Sequence, residues 1–136
     1  MEPLIITEIE SCPNIILDKE NNKFEMSGNS LPEDVHTFYD PVFRWIEEYI
    51  KQPNVKTELS IKLIYFNSAS VKAVLDILTL FEELIVKGFE MKVIWYFLEI
   101  DEDMLATGEE LASVLKIPFE FVACNDEWVR LMNDDA

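Results

Sequence analysis

The amino-acid sequence predicts an α/β domain in which a mixed β-sheet is flanked by helices. The chain has 136 residues, a length that fits one domain, and 49% of them are hydrophobic, enough for a core. Strand-like and helix-like patterns follow each other in the order β-β-β-α-β-α-β-α-β. Since no Gly/Ser-rich or Pro-rich linker interrupts this order, we expect residues 1–136 to form a single domain.

The first part of the chain predicts three short strands. Residues 3–9 and 14–18 are apolar runs of strand length, and residues 23–27 alternate as the return strand of a hairpin. Residues 28–32 break this pattern. A helix should then begin near Pro32, because proline fits the first helical position.

A first helix is predicted by apolar residues that recur at helical spacing as far as Ile50. Pro41 lies within this run and predicts a kink or a broken first turn. The recurring residues are Val35, Phe38, Tyr39, Val42, Ile46, Tyr49 and Ile50.

The centre of the chain predicts a strand, a helix and a second strand. Residues 57–66 are apolar on both faces towards their end, which is typical of a strand in a sheet covered by helices. The helix should span residues 69–87 and end near Gly88, and the next strand should span residues 89–97. This order predicts a right-handed parallel crossover.

The last part of the chain is more acidic. Residues 101–116 predict a third helix, interrupted by Gly108, and residues 119–123 predict the last strand. Residues 127–132 have the pattern of a short amphipathic helix. The aromatic residues along the chain are expected in the core and at contact surfaces rather than on a nucleic-acid-stacking surface.

The charge balance argues against two classes of partner. The chain carries 11 Lys and Arg residues against 27 Asp and Glu residues, a net charge of −16. Such a chain repels nucleic-acid phosphates and anionic lipid surfaces, and no apolar run is long enough to span a membrane. We therefore expect no nucleic-acid or membrane partner. Strong acidity indicates either solubility alone or a basic protein partner.

The two cysteines indicate a reducing compartment. Cys12 and Cys124 have neither metal-ligand nor redox spacing, and the first residues lack the basic and apolar regions of a secretory leader. We therefore expect a cytoplasmic protein with free thiols.

Few residues have the spacing of a catalytic site. His36 is the only histidine, and the phosphate-loop, nucleophile-elbow and zinc-protease motifs are absent. The acidic segment 99–110 leaves open a small-ligand or metal-binding enzyme, although its residue order does not form a calcium loop. The simpler interpretation places Asp101–Asp103 at the positive end of the third helix. We therefore expect no catalytic activity, cofactor or metal.

The turn Asn67-Ser68-Ala69-Ser70 is the main candidate for a functional site. It follows the central strand, and functional residues of open α/β sheets gather at the carboxyl ends of strands. One interpretation is that Asn67 or Ser68 only caps the next helix. The other is a phosphorylation switch, since a phosphate there would meet free N–H groups and the positive end of the helix dipole.

The helix after this turn has two apolar stripes, which is more than one sheet face requires. Either the helix is deeply buried, or its second stripe is a contact surface for a partner or for a second copy of the chain. The residues of this second stripe are Ile77, Leu80, Phe81 and Leu84. A structural homodimer is therefore a further hypothesis, compatible with the switch.

Several segments, in order along nearly the whole chain, resemble the SiaC family of bacterial regulatory phosphoproteins. The main segments are Gly28-Asn29-Ser30-Leu31-Pro32-Glu33, Phe38-Tyr39-Asp40-Pro41-Val42 with Trp45, Tyr65-Phe66-Asn67-Ser68-Ala69-Ser70, and Leu75-Asp76-Ile77-Leu78. Trp95-Tyr96, Asp101-Glu102-Asp103, Gly108-Glu109 and Pro118-Phe119 also fit the family pattern.

This resemblance implies a fold similar to the STAS domain of anti-sigma-factor antagonists such as SpoIIAA, and a partner-switching function. A dedicated protein kinase would phosphorylate Ser68, beside Asn67, and a PPM-type phosphatase would remove the phosphate, with Ser70 as the reserve acceptor. The unphosphorylated form would bind and activate an effector such as a diguanylate cyclase, raising cyclic di-GMP and promoting aggregation or biofilm growth. The best-known members place Thr at the position of Ser68 and a second hydroxyl at the position of Ala69, and Ser can be phosphorylated as well.

Overall fold

A six-stranded mixed sheet and three helices make up the fold of the protein, in a computed structural model that describes residues 1–7, 9–125 and 127. The predicted α/β class and mixed sheet are confirmed. The strands are β1 (Leu4–Ile6), β2 (Asn14–Asp18), β3 (Lys23–Ser30), β4 (Lys56–Phe66), β5 (Glu90–Leu98) and β6 (Phe119–Cys124). The helices are α1 (Val35–Tyr49), α2 (Ser68–Val86) and α3 (Glu102–Val114).

The strands lie side by side in the same order as they occur in the sequence. β1, β2 and β3 pair antiparallel, whereas β3, β4, β5 and β6 pair parallel. Each parallel pair is joined through one helix, and such crossovers are nearly always right-handed. Because the strand order never reverses, right-handed crossovers place all three helices on the same face of the sheet.

Contacts between helices and strands agree with this arrangement. Tyr49 of α1 contacts Thr57 of β4 through their hydroxyls at 2.7 Å, and Trp95 of β5 donates to the carbonyl of Met104 in α3 at 3.1 Å. Thr57 of β4 pairs with Met91 of β5, and Trp95 lies four residues after Met91 along β5. Side chains at even spacing share a face, so both helices contact the same side of the sheet.

The expectation that helices cover both faces of β4 is therefore wrong. On the helix side, Leu59, Ile61 and Leu63 are almost fully buried. On the opposite side, Glu58 is exposed, and Lys62 is only partly buried and forms an ion pair with Glu25 of β3 at 2.9 Å. The apolar residues near the end of β4 had suggested two covered faces, but the sheet carries helices on one face.

Several element boundaries differ from the sequence expectation. β1 is shorter than residues 3–9, and β3 continues to Ser30 instead of ending at residue 27. α1 begins after Asp34, whose carboxylate accepts hydrogen bonds from the Thr37 N–H at 3.1 Å and the Thr37 hydroxyl at 2.7 Å. This cap explains why the helix does not begin at Pro32.

Two predicted interruptions are also absent from the described helices. α1 runs through Pro41 without a break, and α3 runs through Gly108. The structure explains the glycine, because a Cβ at position 108 would lie 2.6 Å from Nε1 of the fully buried Trp95. The short amphipathic helix predicted at residues 127–132 lies outside the described residues except for Glu127.

The core lies between the helices and one face of the sheet. Its largest fully buried side chains are Trp95, Tyr39, Tyr49 and Phe81, in agreement with core positions for most of the aromatic residues. Tyr65, by contrast, is 56% exposed near the end of β4. None of the helices formed by the described residues is long and apolar enough to cross a membrane.

Candidate phosphorylation site

The start of α2 is capped by Asn67. Its backbone is extended, with φ −83° and ψ 172°, and its side-chain oxygen accepts a hydrogen bond from the Ser70 N–H at 2.8 Å. The Asn67 carbonyl accepts the first helical bond, from the Val71 N–H at 3.0 Å. The capping role, which the sequence left open between Asn67 and Ser68, therefore belongs to Asn67.

Ser68 is the first residue of α2 and is exposed, as is Ala69. Within the part of the chain that the structure describes, no hydrogen bond engages the Ser68 hydroxyl. The N–H groups of Ser68 and Ala69 belong to the first turn, where no intrahelical carbonyl can pair with them. An anion on Ser68 would therefore lie beside free donors and the positive end of the helix dipole.

Ser70 has a different environment and is fully buried. Its hydroxyl donates to the main-chain carbonyl of Ser30 at 2.9 Å and accepts from the Ser30 hydroxyl at 2.8 Å. The reserve assignment of Ser70 as a phosphoacceptor is therefore a poor fit to this fold, because a kinase would have to break two buried hydrogen bonds to reach it.

A chain of buried hydroxyls connects this turn to α1. The Ser30 hydroxyl lies 2.6 Å from the Tyr39 hydroxyl. Because the Ser30 hydroxyl already donates its proton to Ser70, Tyr39 must be the donor in this contact. The Ser30 carbonyl also accepts from the Asn67 N–H at 3.3 Å, so Ser30 joins the end of β3 to both helices. We call Tyr39, Ser30 and Ser70 the hydroxyl chain.

Burial of the hydroxyl chain changes the chemistry of its tyrosine. Removal from water raises the pKa of Tyr39 to about 12. The phenol therefore stays protonated and available as a donor at physiological pH. The sequence patterns predict no functional role for Ser30 or Tyr39, although both lie in the segments that carry the family resemblance.

The predicted contact surface on α2 needs correction. Ile77, Phe81 and Leu84 are almost fully buried, and Leu80 is partly buried against the core. α1 packs beside α2, and α2 also contacts β5, so the helix needs apolar residues on two sides. The alternative of a deeply buried helix is the correct one, and the second stripe is part of the core of this chain.

The acidic segment of α3 has a structural role in the described fold. Asp101 caps the helix, and its carboxylate accepts from the Met104 N–H at 3.0 Å. Glu102 and Asp103 follow in the first turn, where negative charge is favourable. Among the described residues, no group of three or more His, Cys, Asp or Glu side chains is placed to hold a metal ion. His36 is exposed in the first turn of α1.

Comparison with known proteins places this chain in a class of regulatory proteins. A family model described as "SiaC family regulatory phosphoprotein" matches residues 6–124. Since this span is most of the chain, the protein belongs to the SiaC family. The family resemblance seen in the sequence is confirmed.

Proteins of Pseudomonas aeruginosa are similar to this chain in structure and in sequence. SiaC of that organism superimposes with a TM-score of 0.82 at 29% identity, covering 91% of this chain and 100% of that chain. A crystal structure of the diguanylate cyclase SiaD in complex with its activator SiaC gives a TM-score of 0.82 at 30% identity, covering 89% of this chain and 99% of that chain. An uncharacterized protein of strain UCBPP-PA14 is 30% identical over 123 residues, which is 90% of this chain and 98% of that protein.

Proposed function

We propose that the protein is a non-catalytic, partner-switching regulator in the cytoplasm, controlled by phosphorylation of Ser68. In its unphosphorylated form it binds and activates an effector, a diguanylate cyclase, and so raises cyclic di-GMP. The observation that carries this proposal is the exposed Ser68 hydroxyl, free of the capping role that Asn67 fills.

Ser68 combines accessibility with an environment that tolerates a phosphate. A phosphoserine carries roughly −1.5 to −2 charges at pH 7 and three acceptor oxygens. At the first position of α2 these oxygens lie near N–H groups that the helix leaves unpaired. The modified protein can therefore keep its fold while the charge of its surface changes.

The effector is proposed from the structural relative. The P. aeruginosa SiaC that matches this fold is the activator in a complex with a diguanylate cyclase. A kinase and a PPM-type phosphatase acting on Ser68 complete the proposed cycle. A homodimer through the second stripe of α2 is not proposed, because that stripe is buried within the chain.

The site assignment is tested by peptide mapping of the protein purified from its native cells. We expect a phosphorylated peptide that contains Ser68. Phosphate confined to other residues would remove Ser68 from the proposal.

The mechanism is tested by binding of purified variants to the P. aeruginosa cyclase SiaD, followed by calorimetry, with cyclic di-GMP synthesis as a second readout. Ser68→Ala should bind as the unmodified protein does, and Ser68→Asp should bind about tenfold more weakly or worse. Ser113→Asp adds the same charge in the last turn of α3, at the opposite edge of the sheet, and should have no effect. Equal affinities for all forms would contradict the mechanism.

A further inference from the structure

The loops around Ser68 all lie at one edge of the sheet. β3, β4, β5 and β6 are parallel and end together there, and β1 ends there as well, because it runs in the direction of β3. Main-chain hydrogen bonds join the loops. The Leu31 N–H donates to the Ser11 carbonyl at 2.7 Å, and the Glu99 N–H donates to the Cys124 carbonyl at 2.8 Å. We call this region, formed by residues 9–13, 31–38, 65–71 and 99–105, the carboxyl edge.

The carboxyl edge exposes large apolar side chains on neighbouring loops and strand ends. They flank Ser68 on both sides, since neighbouring strands are roughly 5 Å apart. Tyr65 reaches this surface because β4 carries an irregularity near its end: Gly28 pairs with Leu63, but the next residue of β3 pairs with Tyr65. The exposed fractions are 50% for Ile9, 36% for Leu31, 56% for Tyr65 and 80% for Ile100.

The same edge is strongly acidic. In its described loops and first helical turns the sequence places no Lys or Arg, and the nearest cation along α2 is Lys72, in the second turn. The opposite edge differs, because its loops carry Lys19, Lys51, Lys87 and Lys116. The acidic residues of the carboxyl edge are Glu10, Glu33, Asp34, Glu99, Asp101, Glu102 and Asp103.

From this juxtaposition we infer that the carboxyl edge is the surface that docks the effector, and that the effector presents an apolar centre with a rim of Lys and Arg. The inference rests on the proposed function and adds to it the surface and the chemistry of the partner. Apolar side chains supply the contact area, and opposite charges around them guide the encounter. A second copy of the chain is a poor occupant, because two acidic edges would repel each other.

This surface also explains how a phosphate on Ser68 would act. Ser68 lies between the exposed apolar residues, so its surroundings lose water when the partner binds. A dianion buried there carries a desolvation cost when the partner excludes water, and the nearest cation along α2 is the exposed Lys72, one turn further on. The phosphate would therefore weaken binding even though the rim of the partner is basic.

The inference is tested with matched substitutions at the two edges, measured as binding to purified SiaD. Tyr65→Ser and Ile100→Ser should each weaken binding about tenfold or more, because exposed apolar residues become buried in the complex. Val55→Ser and Val86→Ser remove side chains that are 78% and 69% exposed at the opposite edge, and should change binding by about twofold or less. Circular dichroism and urea unfolding establish that each variant is folded.

A charge pair extends the test. Glu99→Lys should weaken binding and reduce its dependence on salt, whereas Glu90→Lys, at the opposite edge, should do neither. If the unmodified protein binds and the carboxyl-edge variants bind equally well, the docking surface is wrong and the proposed function stands. If the unmodified protein does not bind the cyclase, the proposed function fails for this effector, and the inference fails with it.

Discussion

The hydroxyl chain should stabilise the start of α2 as a coupled unit. Tyr39→Phe keeps the buried ring and removes one hydrogen bond to Ser30, which costs about 0.5–1.5 kcal/mol of the free energy of unfolding. Ser30→Ala leaves the fully buried Tyr39 hydroxyl without its acceptor, a larger cost of about 1–3 kcal/mol. The double variant removes both partners, so its cost should be smaller than the sum.

Urea unfolding of the four proteins measures this coupling as a double-mutant cycle. We expect an interaction free energy of about 0.5 kcal/mol or more between positions 30 and 39. Amide hydrogen exchange gives a local readout, because the Asn67 N–H donates to the Ser30 carbonyl and should exchange faster in both single variants. Additive free energies, with unchanged exchange at Asn67, would refute the view that the hydroxyl chain holds the turn.

Three further outcomes follow from individual contacts. Gly108→Ala would normally stabilise a helix, but here its Cβ would lie 2.6 Å from the Trp95 ring, so urea unfolding should reveal a loss of about 1–3 kcal/mol. Asn67→Ala removes the acceptor of the Ser70 N–H and should cost about 1 kcal/mol in the same assay, whereas Asn67→Asp should cost less. The pKa of Tyr39 is raised from 10.0 to about 12. Its contribution to the free energy of unfolding is therefore present below pH 10 and is lost as the pH rises from 10 to 12. Unfolding at a series of alkaline pH values should measure a loss, between pH 10 and 12, that is roughly 2–3 kcal/mol larger for the unmodified protein than for Tyr39→Phe.

The long elements could be predicted because their apolar residues have a clear period. β4 and α2 appear in the structure within about one or two residues of the predicted bounds. The end of β3 could not be predicted, because Ser27-Gly28-Asn29-Ser30 lacks apolar alternation and is held in the sheet by its pairing with β4. Long-range pairing, rather than local propensity, determines the structure of this segment.

The burial of α2 shows a second limit of local patterns. Its two apolar stripes fit either burial on two sides or a contact with a partner, and only the position of α1 decides between them. The placement of all three described helices on one face of the sheet could not be predicted from local patterns either. It follows from the order of the strands in the sheet, which the pattern of a single strand does not contain.

The candidate site was predictable in part. Asn67 and Ser68 follow a buried strand and precede a helix, and this local order indicates a cap and an exposed hydroxyl. The hydroxyl chain was not predictable, because Ser30 and Ser70 are 40 positions apart and serine and tyrosine hydroxyls carry no pattern that identifies their partners. The burial of Ser70, and hence its difference from Ser68, depends on that long-range contact.

A phosphate on Ser68 should separate two binding states of the same fold. The most direct measurement compares homogeneous protein carrying phosphoserine at position 68 with the unmodified protein, in calorimetric binding to SiaD and in thermal unfolding. We expect the phosphate to weaken binding about tenfold or more while the melting temperature changes little, since α2 accepts an anion at its start. Unchanged or tighter binding of the phosphorylated protein would contradict it.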